Sequence, residues 1–299
     1  MSAEAVAAAH YAQQKAITGA VARAVRAEWG KVDPTALDAS YEVVAARLAV
    51  VVAGGQLAAA SQADAYVRGV TLEQDVDAPT EGRVQTRAFA GTAADGRPLE
   101  SLLYESVIAA KVSSAAGASL DEISASGLAS LLRIVGSEIP DAGRTADGVA
   151  IAARPQLSGY VRMLSPPSCS RCAILAGRWY RWSAGFSRHN RCDCRHIPAP
   201  ENIAGDFTTD PLAALRAGQV SGISKADTRA VLESGADLNQ VVNARRGMFT
   251  AGGRKFTTES TSKRGVNPGR LRPRPEQIYK LATDRADAIR LLRRFGYIT

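Results

Sequence analysis

The residues able to do chemistry are crowded into one stretch, Ser165 to Pro200, which holds all four cysteines, two of the three histidines and two of the three tryptophans. Cys169 and Cys172 form a C-x-x-C, Cys192 and Cys194 form a C-x-C, and His189 and His196 flank the second pair. Paired soft donors at short spacing can converge on one tetrahedral zinc. Four thiolates leave no open coordination position, so such a metal is structural. In a small substructure it contributes on the order of 10 kcal/mol to folding. Chelation by residues two apart is strained, which keeps a second donor set in play: Cys169, Cys172, His189 and either Cys192 or Cys194.

Two other uses of these cysteines stand beside the metal. They can be reduced or paired thiols that fill space, or Cys172 can be a nucleophile with His189 or His196 as its base. The chain has no G-x-S-x-G, no H-E-x-x-H and no G-x-x-x-x-G-K, so it carries none of the common hydrolase, zinc-protease or phosphate-loop signatures. No catalytic residue is assigned. The nineteen residues between the cysteine pairs are long enough for a hairpin whose Trp179, Tyr180 and Trp182 are expected to pack against the site. His10 reads as an exposed helix residue.

The elements that must position this stretch differ before and after it. Residues 1–166 carry 14 Lys and Arg against 18 Asp and Glu, whereas residues 167–299 carry 23 against 11. The basic half is a candidate surface for an acidic partner or for non-specific contact with DNA. Its densest part contains Arg245, Arg246, Arg254, Lys255, Lys263, Arg264, Arg270, Arg272 and Arg274 against one acid, Glu259.

Apolar spacing predicts a first helix from about Ala3 to Trp29, with Ile17, Val21, Val25 and Trp29 on one stripe. Asp33 and Pro34 predict the start of a second, carrying Leu37, Tyr41, Val44, Leu48 and Val51. Residues 70–96 read as a loop. Pro98 reopens a helix, Ser119 and Glu122 form a capping box before another, and Pro140 is expected to interrupt it, with a further helix over 141–154. Short helices follow at 211–218, 225–235 and 236–247, and a last one begins near Asp284. The start of the chain is expected not to be a secretory signal, since Glu4 comes early and no basic region precedes an apolar core. The apolar run from Val43 to Ala60, broken by Arg47, Gly54, Gly55 and Gln56, is expected to be a buried helix of a soluble protein, with no membrane partner.

The expected fold class is mainly α: a helical N-terminal domain over 1–164, a small α+β cysteine-rich, zinc-knuckle-like module over 165–205, and a basic, partly extended C-terminal region over 206–299 with an arm at 244–275.

The sequence C-x-x-C-A-I-L-A-G-R-x-Y from Cys169, followed by F-x-R-H-x-x-C-D-C-R-H-x-P from Phe186, resembles the C-terminal module of the MuF-like minor capsid, or head morphogenesis, proteins of tailed bacteriophages. The segments VVNARRGM at Val241, TTESTSKRG at Thr257 and EQIYKLATDRADAIRLLRRFGYI at Glu276 are similar to the version carried by phages of actinobacteria. The resemblance implies a virion component acting in procapsid assembly in the host cytoplasm, with portal and capsid proteins as partners and packaged DNA nearby, and with possible entry into the host alongside the genome. Carried over residue by residue, it marks Cys169, Cys172, His189, Cys192 and Cys194 as a metal or structural site and supplies no catalytic residue. Some relatives are labelled capsid maturation proteases, and some carry ADP-ribosyltransferase domains. Ser260-Thr261-Ser262 is similar to the S-T-S of that toxin fold, but no E-x-E follows it.

Overall fold

A computed structural model describes residues 1–165, 167–176, 178–184, 194–207, 210–234, 238–244, 248–251, 254–257, 279, 281–294 and 298. The molecule is mainly helical with a small sheet. Helices α1 (Ala3–Trp29), α2 (Leu37–Ala60), α3 (Ala63–Glu73), α4 (Leu99–Leu103), α5 (Glu105–Ala115) and α6 (Leu120–Ala152) precede the cysteines. The spine is α6, which at 33 residues spans about 50 Å and packs on α1, α2, α3 and α5.

Two apolar cores share that spine. One joins Val25 and Trp29 of α1, Leu48 and Val52 of α2, Leu103, Val107 and the first half of α6. The other joins Ala3 and Ala7 of α1, Tyr66 and Val70 of α3, the second half of α6, and Tyr160, Ile197, Ile289 and Leu292 from later in the chain. Close approach at two glycines allows this packing. A Cβ on Gly55 would lie 2.6 Å from both Val21 and Ile139, and one on Gly127 would lie 2.1 Å from the Trp29 ring.

Local signals place several elements where expected. Helix α1 covers the anticipated residues, and Ser119 and Glu122 form a capping box at the start of α6. Other expectations are corrected. Pro140 does not interrupt α6, which runs through it to Ala152. A proline inside a helix removes one backbone bond and costs about 3 kcal/mol. Here the burial of Ile134, Val135, Ile139, Ala142, Ala146 and Val149 on both sides of it offsets that loss. Asp33 does not cap α2. Its side chain accepts from the amide and hydroxyl of Thr35, forming a turn, and α2 begins at Leu37.

Helix α3 was not anticipated, and the helix after Pro98 divides at Tyr104. The span Leu37–Glu73 is long and apolar enough to cross a membrane by length and composition. Its polar contacts are those of a helix packed in protein: buried Gln56 donates to the Thr92 carbonyl and accepts from Gly91 N–H.

Strand β1 (Gly159–Met163) follows α6 and forms the centre of a three-stranded antiparallel sheet, between β3 (Trp179–Arg181) and β4 (Arg195–Pro198). A separate parallel pair joins β2 (Ser168–Cys169) to β5 (Val220–Ser221). Between them lie α7 (Ser170–Ala173), a 3-10 turn at Glu201–Phe207 and α8 (Pro211–Arg216). Beyond β5 come α9 (Lys225–Ser234), α10 (Leu238–Ala244), the hairpin β6 (Met248–Ala251) and β7 (Arg254–Thr257), and α11 (Arg285–Arg294). Helix α11 returns to the helical body, burying Ala288, Ile289 and Leu292 in the second core.

Candidate functional site

The first cysteine pair sits where an extended segment turns into a short helix. Cys169 ends β2 with extended backbone, and its sulfur accepts the Cys172 amide N–H at 3.4 Å. An amide aimed at sulfur across a C-x-x-C offsets negative charge on that sulfur. The turn is fixed from outside by β5: Ser168 pairs with Val220 and Cys169 with Ser221, and Ser168 N–H donates to Gln219 O. Helix α8 delivers β5 to that place. Asp210 caps its start, Pro211 occupies its first turn, and Gly218 at φ 68° ends it, with the Gly218 N–H donating to Leu215 O and the Gln219 N–H to Ala214 O.

The second pair is reached through β4. This strand is tied to the helical body, because the Tyr66 hydroxyl donates to the His196 carbonyl and Gln74 Nε2 donates to Pro198 O at 2.8 Å. Cys194 directly precedes β4. It is buried with Cys172 in one cluster with Leu164, Ala173, Ala176 and Ala214, against which Cys169 also packs. Three of the four cysteines thus lie in or against one apolar cluster. His189 and Cys192 lie outside the described residues, as do Arg245, Arg246, Lys263, Arg264, Arg270, Arg272 and Arg274. Arg254 and Lys255 lie on β7.

Among the described residues alone, no group of three or more His, Cys, Asp or Glu is placed to hold a metal ion. Sulfur donors from β2, α7 and the start of β4 share one pocket, an amide points at Cys169, and a guanidinium lies beside Cys172. The residues that would hold zinc are Cys169, Cys172 and Cys194, with Cys192 or His189 as the fourth donor.

The sequence reading misplaced the aromatic residues. Trp179 donates its indole N–H to Ala199 O and packs with Val161 and Ala204, while Trp182 lies edge-on to Tyr279 and beneath Arg285. These rings attach β3 and the C-terminal segment to the body instead of covering the cysteines.

His10 is also corrected. It is largely buried, its Nε2 is 3.0 Å from Asp147 Oδ2, and its ring stacks on Tyr66 at 3.9 Å. The sequence reading passed over Arg162 and Arg285 as well. Arg162 is fully buried on β1, and Arg285 hydrogen-bonds five backbone carbonyls where α6 ends. Neither has a local signal; only the i+2 alternation of β1 could have turned Arg162 inward.

No curated protein and no solved structure matches the chain. Residues 1–213 do match a family, described as VG15 protein, and that span contains α1 to α6, the three-stranded sheet and all four cysteines. The chain therefore belongs to the VG15 proteins, a phage virion-gene family.

Proposed function

We propose that the protein is a MuF-like minor capsid protein of a tailed bacteriophage, acting in head assembly near the portal, with its cysteine pocket serving as a structural zinc staple. The observation that carries this reading is the burial of Cys172 and Cys194 in one pocket of a chain that belongs to a phage virion-gene family. Bound zinc would supply a four-way cross-link between chain segments. The segments it would join are the β2–α7 turn and the start of β4, and β4 is already fixed to α3 through Tyr66 and to the preceding helical body through Gln74. Holding those two segments together keeps the C-terminal half in register with the helical body. The helical body would then face portal and capsid proteins. The basic tract from Arg245 to Arg274 would lie against packaged DNA, where phosphate neutralisation gives salt-sensitive binding without sequence preference.

A capsid maturation protease is the second reading, and the burial of Cys172 and Cys194 argues against either of them as its nucleophile. A thiol that attacks a capsid polypeptide must meet its substrate, whereas Cys172 is 0% exposed and Cys194 is 3% exposed. The test is complementation of a phage lacking this gene with Cys169→Ser, which removes a donor common to every ligand set. The expected result is failed head assembly together with loss of folding in the C-terminal half. Normal, fully infectious particles from that variant would refute the reading.

A further inference from the structure

We infer that the outer face of α2 is a pairing surface for α2 of a second copy of this chain, the two helices running parallel in heptad register. The inference stands apart from the cysteine pocket and from the zinc reading. Helix α2 is apolar on both sides. Val44, Leu48, Val52 and Ala59 are buried in the first core, whereas Val43 and Val50 are 78% and 72% exposed and Leu57 is 37% exposed. A surface helix turns a polar face to water, and one that is apolar all round is covered on every side. Apolar side chains in line along one exposed face form a patch, which marks an interaction site.

The spacing of that face names the occupant. Val43, Val50 and Leu57 are seven residues apart, and exposed Ala46 and half-buried Ala53 lie three positions after the first two. This is the a and d pattern of a coiled-coil seam, with β-branched residues at two of the three a positions, as two-stranded coils favour. In a parallel pair a g residue faces the e residue five positions on in the partner helix. Glu42 is at g and Arg47 at e, so each copy presents a carboxylate to the other's guanidinium, twice by symmetry. Arg47 is 70% exposed and reaches Glu28 only at 4.0 Å; Glu42 is exposed, with no ion pair among the described residues. An antiparallel pair centred on Val50 sets Arg47 against Ala53 and Glu42 against Ala58, with no carboxylate of the facing helix near Arg47. The charges therefore select the parallel arrangement.

Gly54 lies on the same face. Glycine weakens a helix interior relative to alanine, and a Cβ at this position would meet nothing within 4 Å. The packing of one chain gives no reason for a glycine there, whereas close approach of a second helix does. A seam of two heptads is short. It belongs with small interfaces, below about 1,200 Å² in total, which hold transient pairs.

The test is sedimentation equilibrium of the full-length protein over a range of concentrations, with circular dichroism confirming the fold of each variant. The wild type is expected to dimerise with a dissociation constant of roughly 1 μM to 1 mM. Val50→Glu, whose introduced carboxylates face each other across the seam, is expected to weaken pairing by at least about 10-fold. Glu42→Arg is expected to weaken it by about 2-fold to 30-fold, as two exposed ion pairs allow, and the double reversal Glu42→Arg with Arg47→Glu to restore it. If Val50→Glu does not fold, Glu42→Arg decides. A wild type that stays monomeric at roughly 1 mM, or a dimer indifferent to Val50→Glu, would overturn the surface. A monomer that instead floats with lipid vesicles, and loses them on Val50→Glu, would overturn it in favour of a membrane. A double reversal that fails to restore pairing would overturn the parallel register.

Discussion

Replacing Arg285 with alanine is expected to detach the C-terminal helix from the body. At the end of an α-helix the last carbonyls have no intrahelical partner. Those of Ile151 and Ala152 at the end of α6, and the carbonyls of Arg154, Pro155 and Leu157 just beyond it, are met by one guanidinium, at 3.1, 3.3, 2.7, 2.6 and 2.7 Å. Three of these bonds come from Nη2, which has only two hydrogens, so about four act at once. At roughly 1 kcal/mol net for each, with a further ~0.5 kcal/mol from stacking over Trp182, the anchor contributes about 4.5 kcal/mol. Burial lowers the Arg285 pKa to about 10, so the side chain remains charged at neutral pH and keeps every donor. Urea denaturation followed by tryptophan fluorescence measures the loss, because Trp182 lies between Arg285 and Tyr279. Amide hydrogen exchange tells detachment of α11 alone from global unfolding. Arg285→Lys, with one nitrogen in place of three, should lose about half as much. A change of less than about 1 kcal/mol in Arg285→Ala, with protection of α11 unaltered, would refute the anchor.

Other outcomes follow from the same packing. Gly127→Ala gains helix propensity but drives a methyl into the Trp29 ring, so a net loss of about 1–3 kcal/mol is expected in thermal or urea unfolding. His10→Ala leaves the Asp147 carboxylate buried at 4% exposure without its imidazole, and a loss of about 3 kcal/mol by urea denaturation is expected. The backbone N–H of Ser119, and then its hydroxyl, hold the Glu122 carboxyl below its ordinary 4.5. Its contribution is therefore complete above pH 4.5 and is lost as pH falls through the lower folded-state value. Glu122→Gln should flatten that part of the acid limb in a pH series of melting temperatures.

What could be read from the residues alone was what adjacent residues decide. Helix α1 follows from its apolar stripe, and the start of α6 follows from Ser119 and Glu122, both local effects. Pro140 misled because its local cost is real and is offset only by packing that sequence spacing does not display. Asp33 misled because the same side chain can cap a helix or close a turn, and the Thr35 hydroxyl decides for the turn. The packing of Cys172 and Cys194 in one apolar cluster, with Cys169 against it, is a tertiary contact between residues up to 25 positions apart.

The residues that surround and tether that pocket were not legible. Tyr66 lies 130 positions from its partner carbonyl on His196, and Arg285 lies about as far from the carbonyls it joins. Arg162, in the acidic first part of the chain, and Arg285, in the basic second part, both look like surface charge until the fold buries one fully and the other in part. The division between a cysteine module and a C-terminal region is likewise blurred by contacts. Ala214, Leu215 and Val220 pack around the cysteine turn, and α11 joins the core of the helical body.

The measurement that bears most directly on the proposed role of the cysteines is elemental analysis of the purified full-length protein, wild type beside Cys169→Ser, with thiols counted under denaturing conditions and their reaction rates followed in the folded protein. About one zinc per chain in the wild type, lost in the variant along with thermal stability, is the predicted result. A wild-type chain without metal, in which Cys169→Ser melts at the same temperature and one thiol reacts unusually fast, would contradict the staple and favour a nucleophilic cysteine.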